Sequence, residues 1–378
     1  MKEMKRILVV KAMVLGAIAC SISAVGFAAN IQDANSMDSV QQTVVTDEAK
    51  HEAVRSNWMD RTDIKVGTQA KIGMQVSVDT LQPLTHYDEN SKSVLFVQGG
   101  IGRGGQEQSV SYFHGFNEIW YPYNPATGKG DQRYRAEKYE NTKSLGTVAN
   151  AGLGYRHLSK NEHAYVGVNA FVDRAFSEDA NRVSGGLEYV SGLNEVRANV
   201  YRGLGSVKSQ SDMIHLPPSY FTFDLDGGPA YYMPHESQKV LSGYDVSYAR
   251  TFKNARWARV HATVYHWNGL SVPNHSNALL KTLEIGNSHG WKVGTTLQVT
   301  PHVSLDVGYT SDSKDTSGAY GFVKYTLGTS KFAWHGGKHS DDAITNARAR
   351  MLDKVERSPL TIGHTYEEDW YVKPNDHL

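Results

Sequence analysis

Asn150, Arg156, Asn169, Asp173, Glu188, Arg197, Asn199, Asp245 and Asp306 stand at alternate positions of otherwise apolar runs. If they share one enclosed space, opposite charges there would pair, to hold a narrow pore or to grip a segment of chain; facing water, they would simply be solvated. Three other arrangements suggest different chemistry. Gly100-Ile101-Gly102-Arg103-Gly104-Gly105 fits the dinucleotide pattern G-x-G-x-x-G, but no helix follows to offer its N-terminus to a pyrophosphate, so a strand end entering a loop is the better reading. His275-Ser276-Asn277 could suggest a membrane phospholipase, yet adjacent strand residues point to opposite faces and no partner base is identifiable. His335 and His339 have i, i+4 spacing, and Gly336-Gly337 between them argues against the helix that would align them on a metal. Catalysis, cofactors and metals are therefore not expected.

The polar positions need elements that alternate. In 146–173, GTVANAGLGYRHLSKNEHAYVGVNAFVD, polarity changes at every second residue in two runs joined by a few polar positions. Ala149, Ala151, Leu153 and Tyr155 fall on one face, and Val148, Asn150, Gly152, Gly154 and Arg156 on the other. In the second run Val166, Val168, Ala170 and Val172 oppose Gly167, Asn169 and Asp173. A strand with lipid on one side and a watery lumen on the other has this pattern. A soluble sandwich would place larger Leu, Ile and Phe side chains on its inner faces. The register predicts that Val168→Arg impairs assembly while Asn169→Arg does not.

The front of the chain supplies a compartment. Lys2, Lys5, Arg6 and Lys11 precede or enter an apolar stretch ending in Gly26-Phe27-Ala28, a signal peptide over 1–28. Cys20, the single cysteine, lies inside it, so cleavage would leave a mature chain with no disulfide. Lys+Arg and Asp+Glu both number 39, which gives no electrostatic reason to expect nucleic acid as a partner. No later segment holds the roughly 18 consecutive apolar residues of a membrane helix, whereas 35 Gly and 21 Tyr accompany the alternation. A membrane barrel accounts for both facts.

Alternation and turn signals place strands at 63–70, 72–84, 93–104, 146–158, 163–174, 182–190, 194–204, 242–252, 257–267, 290–300, 302–311 and 318–327. That makes an all-β chain: a transmembrane, outer-membrane β-barrel of about twelve antiparallel strands over 62–328. Connections after odd-numbered strands are mostly long or polar (105–145, 205–241, 268–289), and those after even-numbered strands mostly minimal, the layout of a bacterial outer-membrane barrel with long loops outside. Outer-membrane lipid is then an obligatory partner.

An ordered series of segments carries a family resemblance: Thr80-Leu81-Gln82-Pro83-Leu84, Leu95-Phe96-Val97-Gln98, Ala151-Gly152-Leu153-Gly154-Tyr155-Arg156, Val168-Asn169-Ala170-Phe171-Val172-Asp173, Gly186-Leu187-Glu188-Tyr189, Gly243-Tyr244-Asp245-Val246 and Trp291-Lys292-Val293-Gly294. Their order resembles the inverse autotransporter β-domain of the intimin/invasin family over roughly residues 60 to 357. The resemblance implies a twelve-stranded barrel in the outer membrane of a Gram-negative bacterium, its N-terminus periplasmic. It also implies a C-terminal passenger carried to the cell surface, commonly as an adhesin.

The ends depart from that pattern. A short periplasmic segment, 29–61, is compatible with partial helix over 39–60. After the last strand, 329–378 is expected to be a linker helix and a short tail. Ile344, Ala347, Met351, Leu352 and Val355 recur at helical spacing, with Asp341 and Asp342 at the start and Arg357 at the end, so a helix over 341–357 would thread the lumen or lie in the periplasm. The tail from Ser358 is too short for an immunoglobulin-like passenger. Gly321-Phe322-Val323-Lys324-Tyr325 resembles the signal by which the barrel assembly machinery recognises a final strand. Two functions remain: a surface protein related to adhesion, invasion or passenger translocation, meeting a host or cell-surface ligand through its long loops, or a passive channel or passenger-less scaffold with a plugged lumen.

Overall fold

The computed structural model describes residues 58–88, 90–114, 118–124, 129–133, 136–211, 214–215, 230–273, 282–314, 317–328 and 347–372. Twelve strands form a closed barrel: β1 (Thr62–Gln69), β2 (Gly73–Pro83), β3 (Ser93–Arg103), β4 (Thr147–Leu158), β5 (Ala164–Ala175), β6 (Ala180–Ser191), β7 (Asn194–Leu204), β8 (Gly243–Thr251), β9 (Ala258–Trp267), β10 (Ser288–Gln298), β11 (Val303–Asp312) and β12 (Gly318–Thr326). Every barrel neighbour is antiparallel, and β1 closes on β12 from Asp63↔Thr326 to Gln69↔Tyr320. Closure leaves no strand edge unpaired within the ring.

Alternation decides which side chains face out. Along β5, Val166, Val168 and Val172 are exposed while Tyr165, Gly167, Asn169, Phe171 and Asp173 are buried. The same phase puts Leu187, Val200, Val246, Val264, Val293 and Val323 on the outer surface, Leu187 and Val200 at 63% and 64% exposure. An apolar band around a whole barrel is an interaction surface, and its chemistry is that of lipid contact. Among the described residues no helix is long and apolar enough to cross a membrane.

The two rims differ. One has short turns: β6 passes to β7 through Gly192-Leu193, where Ser191 pairs with Asn194 and Gly192 has a positive φ of 55°, a conformation that glycine adopts without strain. The other carries the long connections, whose described parts build a second sheet. Its order runs Lys208–Ser211, Ala230–Val240, Thr361–Val372, Gln106–His114, Ala136–Ser144. The C-terminal strand sits inside it, antiparallel to Ala230–Val240 and parallel to Gln106–His114. Gly100 to Gly105 bridges β3 and this sheet, with no helix following.

The expected α-helix over 341–357 is corrected where the structure describes it. Ala347–Arg350 is a single 3-10 turn, and the chain beyond runs without helix to the strand at Thr361. A spacing of four returns to the same side in an extended chain as well as in a helix. Ala347, Met351 and Val355 use it to seat against Leu81, Val94, Phe96, Leu158, Tyr165, Phe171 and Val190 of the wall. Turn bonds from Met351 N–H to Arg348 C=O and from Asp353 N–H to Arg350 C=O end there, and beyond them wall side chains meet backbone groups, as Gln98 does for both N–H and C=O of Val355 at 2.7 and 3.2 Å. The leader over 1–28, the segment to residue 57, His275 to Asn277, His335 and His339 lie outside the described residues.

Candidate functional site

The segment 347–360 passes through the ring from the short-turn rim to the long-loop rim. Ala347 N–H donates to Glu162 C=O in the β4–β5 turn, and Leu360 C=O accepts from Gln106 N–H above β3. Beyond the turn, the eight residues 353–360 would cover roughly 26 Å if fully extended, most of the height of a bilayer core.

At the short-turn end, Arg348 Nη2 lies 2.7 Å from Glu162 Oε1, which Lys92 Nζ also meets at 2.6 Å. Hydrogen bonds from Arg348 and then Lys92 hold the Glu162 carboxyl down to about 2. Further in, Arg156 donates to Glu188 from Nε at 2.8 Å and to the carbonyls of Met351 and Asp353 at 2.9 and 2.6 Å. Gly154 and Gly152 make room for this: a Cβ at either would overlap the ring of Phe96 or Phe171 lying across the wall. Those rings carry guanidinium groups on their faces, Arg156 over Phe96 at 4.5 Å and Arg357 over Phe171 at 3.9 Å.

At mid-height, Glu195 collects Arg197 (2.6 Å), Arg259 (2.9 Å) and Arg350 (2.5 Å). Glu356 of the threaded segment answers Arg259 at 3.0 Å and Arg197 at 3.4 Å. Arg357 reaches Asp173 at 2.7 Å, and Arg182 holds the same carboxylate at 2.9 Å while donating to the carbonyls of Ser358 and Pro359. Lys354 pairs with Asp63 at 2.7 Å. Each charged residue of this segment thus meets an opposite charge, on the wall or, as Asp353 does with Arg350 at 3.0 Å, within the segment itself. Above it, Ser358 N–H donates to Tyr201 Oη and to Asp245. Outside the barrel, His364 Nδ1 lies 3.0 Å from Glu107, and that hydrogen bond raises its pKa.

The residues singled out by sequence divide cleanly. Arg156, Asp173, Glu188, Arg197, Asn199 and Asp245 come together around the threaded segment, Asn199 donating to Asp245 at 2.8 Å and to Glu356 C=O at 3.3 Å. Phe171, Gly152 and Gly154 serve the same wall. Asp306 faces another part of the lumen and meets His261 at 2.9 Å. Asn150 and Asn169 point inward, yet Asn150 Oδ1 and both amide atoms of Asn169 find no hydrogen-bond partner. Asn169 is 8% exposed, so the expectation that Asn169→Arg is harmless is revised: an arginine there would overpack the wall. Tyr155 and Tyr189 are on the outer face. Gln82 accepts from Arg61 at 3.0 Å near the short-turn rim, and Pro83 ends β2. Arg182, Glu195 and Arg259 were not singled out, although Arg182 shares the phase of Glu188 along β6, and Glu195 that of Arg197 along β7.

Comparison with known proteins gives a family match: the model described as "Inverse autotransporter, beta-domain" covers residues 134–359. No curated protein sequence matches the chain. Among solved structures, similarity extends to a chain from work on in-meso crystallization of membrane proteins, at 15% identity and TM-score 0.49 over 80% of this chain and 99% of that one. The β-domain of the Bordetella autotransporter BrkA aligns at 9% identity and TM-score 0.23 over 70% and 97%. The translocator domain of NalP from Neisseria meningitidis aligns at 9% and 0.23 over 70% and 86%.

Proposed function

This chain belongs to the inverse autotransporter β-domain family, and from that premise we propose that it is an outer-membrane barrel that passes its own C-terminal segment through its lumen and holds it at the cell surface. The observation that carries the reading is the threaded path of 347–360, matched charge by charge to the barrel and continued as a strand among the long connections. Long loops lie outside in bacterial barrels of this kind, so the strand Thr361–Val372 would be extracellular. Recognition belongs on that surface sheet and its flanking loops, and adhesion or invasion is the role we assign to them. On the last barrel strand, Gly321 to Tyr325 is the segment we assign to the barrel assembly machinery.

Cysteine labelling on intact cells tests the threading. With an impermeant maleimide, Lys373→Cys and Ser177→Cys should label and Lys160→Cys should not. Labelling of Lys160→Cys with protection of Lys373→Cys would overturn the reading. Cell adhesion conferred by the chain should be lost when 205–241 is removed, and adhesion surviving removal of all three long loops would take the adhesive role off this surface.

A further inference from the structure

Down the outer face of β8 the side chains run Tyr244, Val246, Tyr248 and Arg250, all exposed, and the same phase continues to the exposed Phe252 in the turn that follows. That turn, Phe252 to Trp257, adds Lys253 and Arg256. We propose that this corner of the short-turn rim binds the headgroup phosphate of an anionic phospholipid between Arg250 and Lys253, with the acyl chains lying along the apolar face above. The site rests on the membrane orientation assigned above, which puts it in the periplasmic leaflet.

Position, charge and order carry it together. A barrel in lipid meets the headgroup layer at the edge of its apolar band, where aromatic rings gather and long cationic side chains reach the phosphates. Arg250 lies at that edge, paired in register with Asn194 of β7 and Val260 of β9, while Val196, Val246, Ala262 and Val264 share its face higher up. No carboxylate faces outward on β7, β8, β9 or β10, and the flanking turns, Gly192-Leu193 and Val299 to His302, contain none. Glu195, the carboxylate nearest in register, points into the lumen, where Arg197, Arg259 and Arg350 share it. Arg250 and Lys253 therefore have no ion-pair partner among the described residues. The turn that presents them is fastened on both sides: Thr251 N–H donates to Leu193 C=O at 3.0 Å, Phe252 N–H to Ala258 C=O at 3.2 Å, and Gln298 N–H to Trp257 C=O at 2.7 Å. Arg256 Nε reaches Lys253 C=O at 3.4 Å within it. A fastened turn spares the binding step the cost of ordering a loop, and cations held at a membrane surface attract anionic lipid. Soluble phosphate could use the same two groups, but only a lipid also covers the apolar face that runs up from them.

The test uses the full chain folded into phosphatidylcholine vesicles that carry a trace of spin-labelled lipid. Electron paramagnetic resonance reads the fraction of label held at the barrel surface, and the native chain should hold labelled phosphatidylglycerol several-fold more strongly than labelled phosphatidylcholine. Arg250→Gln with Lys253→Gln should remove most of that preference, Arg250→Lys with Lys253→Arg should preserve it, and Lys239→Gln in the surface sheet should leave it unchanged. Potassium chloride at ~1 M, where electrostatic reach shrinks to about 3 Å, should weaken it. Heat-modifiable mobility on gels checks that each barrel is folded, and the single variant Lys253→Gln in the exposed turn, expected to show a smaller drop, serves if the double variant fails that check. Vesicles offer both leaflets, so an inverted orientation, read separately by labelling of Lys160→Cys, leaves this measurement intact. A native chain without preference, a preference that survives loss of both cations, or displacement of the labelled lipid by millimolar inorganic phosphate, which would assign the groups to soluble phosphate, would overturn the proposal.

Discussion

Two halves of one lumen, built from strands with the same alternation, have opposite relations to charge. On the side of β4 to β8, Arg156, Glu188, Arg197, Glu195 and Asp173 are cut off from water and paired with one another and with the threaded chain. On the side of β9 to β12 and β1, Lys65 and Lys292 keep part of their surface open and lie over the rings of Phe322 and Tyr320, with no ion pair among the described residues. Burial is what separates the two. A charge sealed from water needs a partner, while one that water reaches does not, so the first half specifies most of what lies against it and the second adds only Asp63 and Arg259.

The contrast is broken most severely at Arg156. Arg156→Ala leaves the carbonyls of Met351 and Asp353 without their donor and Glu188 with only Arg197, at 3.2 Å, and a loss of about 3–5 kcal/mol is expected from the broken buried pair. The urea midpoint of barrel unfolding in lipid measures it, and a change as small as that of a variant on the side of β9 to β12 would erase the distinction. Next comes the contact between segment and wall: a double-mutant cycle on Arg350→Ala and Glu195→Gln should give a coupling of about 0.5–3 kcal/mol. A null coupling would mean that the wall holds its charges without the threaded chain.

Smaller again is the clasp of Glu162 with Arg348 and Lys92, which water reaches. Its carboxyl is depressed from 4.5 to about 2, so its stabilisation is complete above the unfolded value and is lost as pH falls from about 4.5 toward 2. Proteolysis near residue 347 should accelerate across that window, and Glu162→Gln should remove the acceleration. Smallest is Thr263→Ala on β9, whose side chain is only half-buried, expected within about 0.5 kcal/mol of the parent. A larger cost would show that this side too is packed against something.

The barrel was legible in the sequence because lipid and lumen impose opposite polarities at every second residue, as Val166, Val168 and Val172 against Asn169 and Asp173 display. The threaded segment was not, because Ala347, Met351 and Val355 read equally as a helix stripe and as one side of an extended chain. Its charges find their meaning only from Asp173, Glu195 and Asp63, which are distant in sequence. The strand Thr361–Val372 had a signal that went unused: Thr361, Ile362, Thr365, Tyr366, Trp370, Tyr371 and Val372 are residues that favour strands. Its partners, two loops far apart in the chain, had none.

That strand also has a mechanical consequence. Thr361 lies at the barrel mouth, as do Gln106 and Val240 of the two neighbouring strands, and Val372 lies at the far end. Tension applied at Val372 away from the membrane would load both ladders lengthwise, so the register Ala230↔Val372 to Val240↔Ile362 must slide as a whole rather than unzip rung by rung. Behind it, the ion pairs of 348–357 stand in series with the load. Whatever pulls on this chain at the surface pulls against a shear joint backed by an anchor inside the wall.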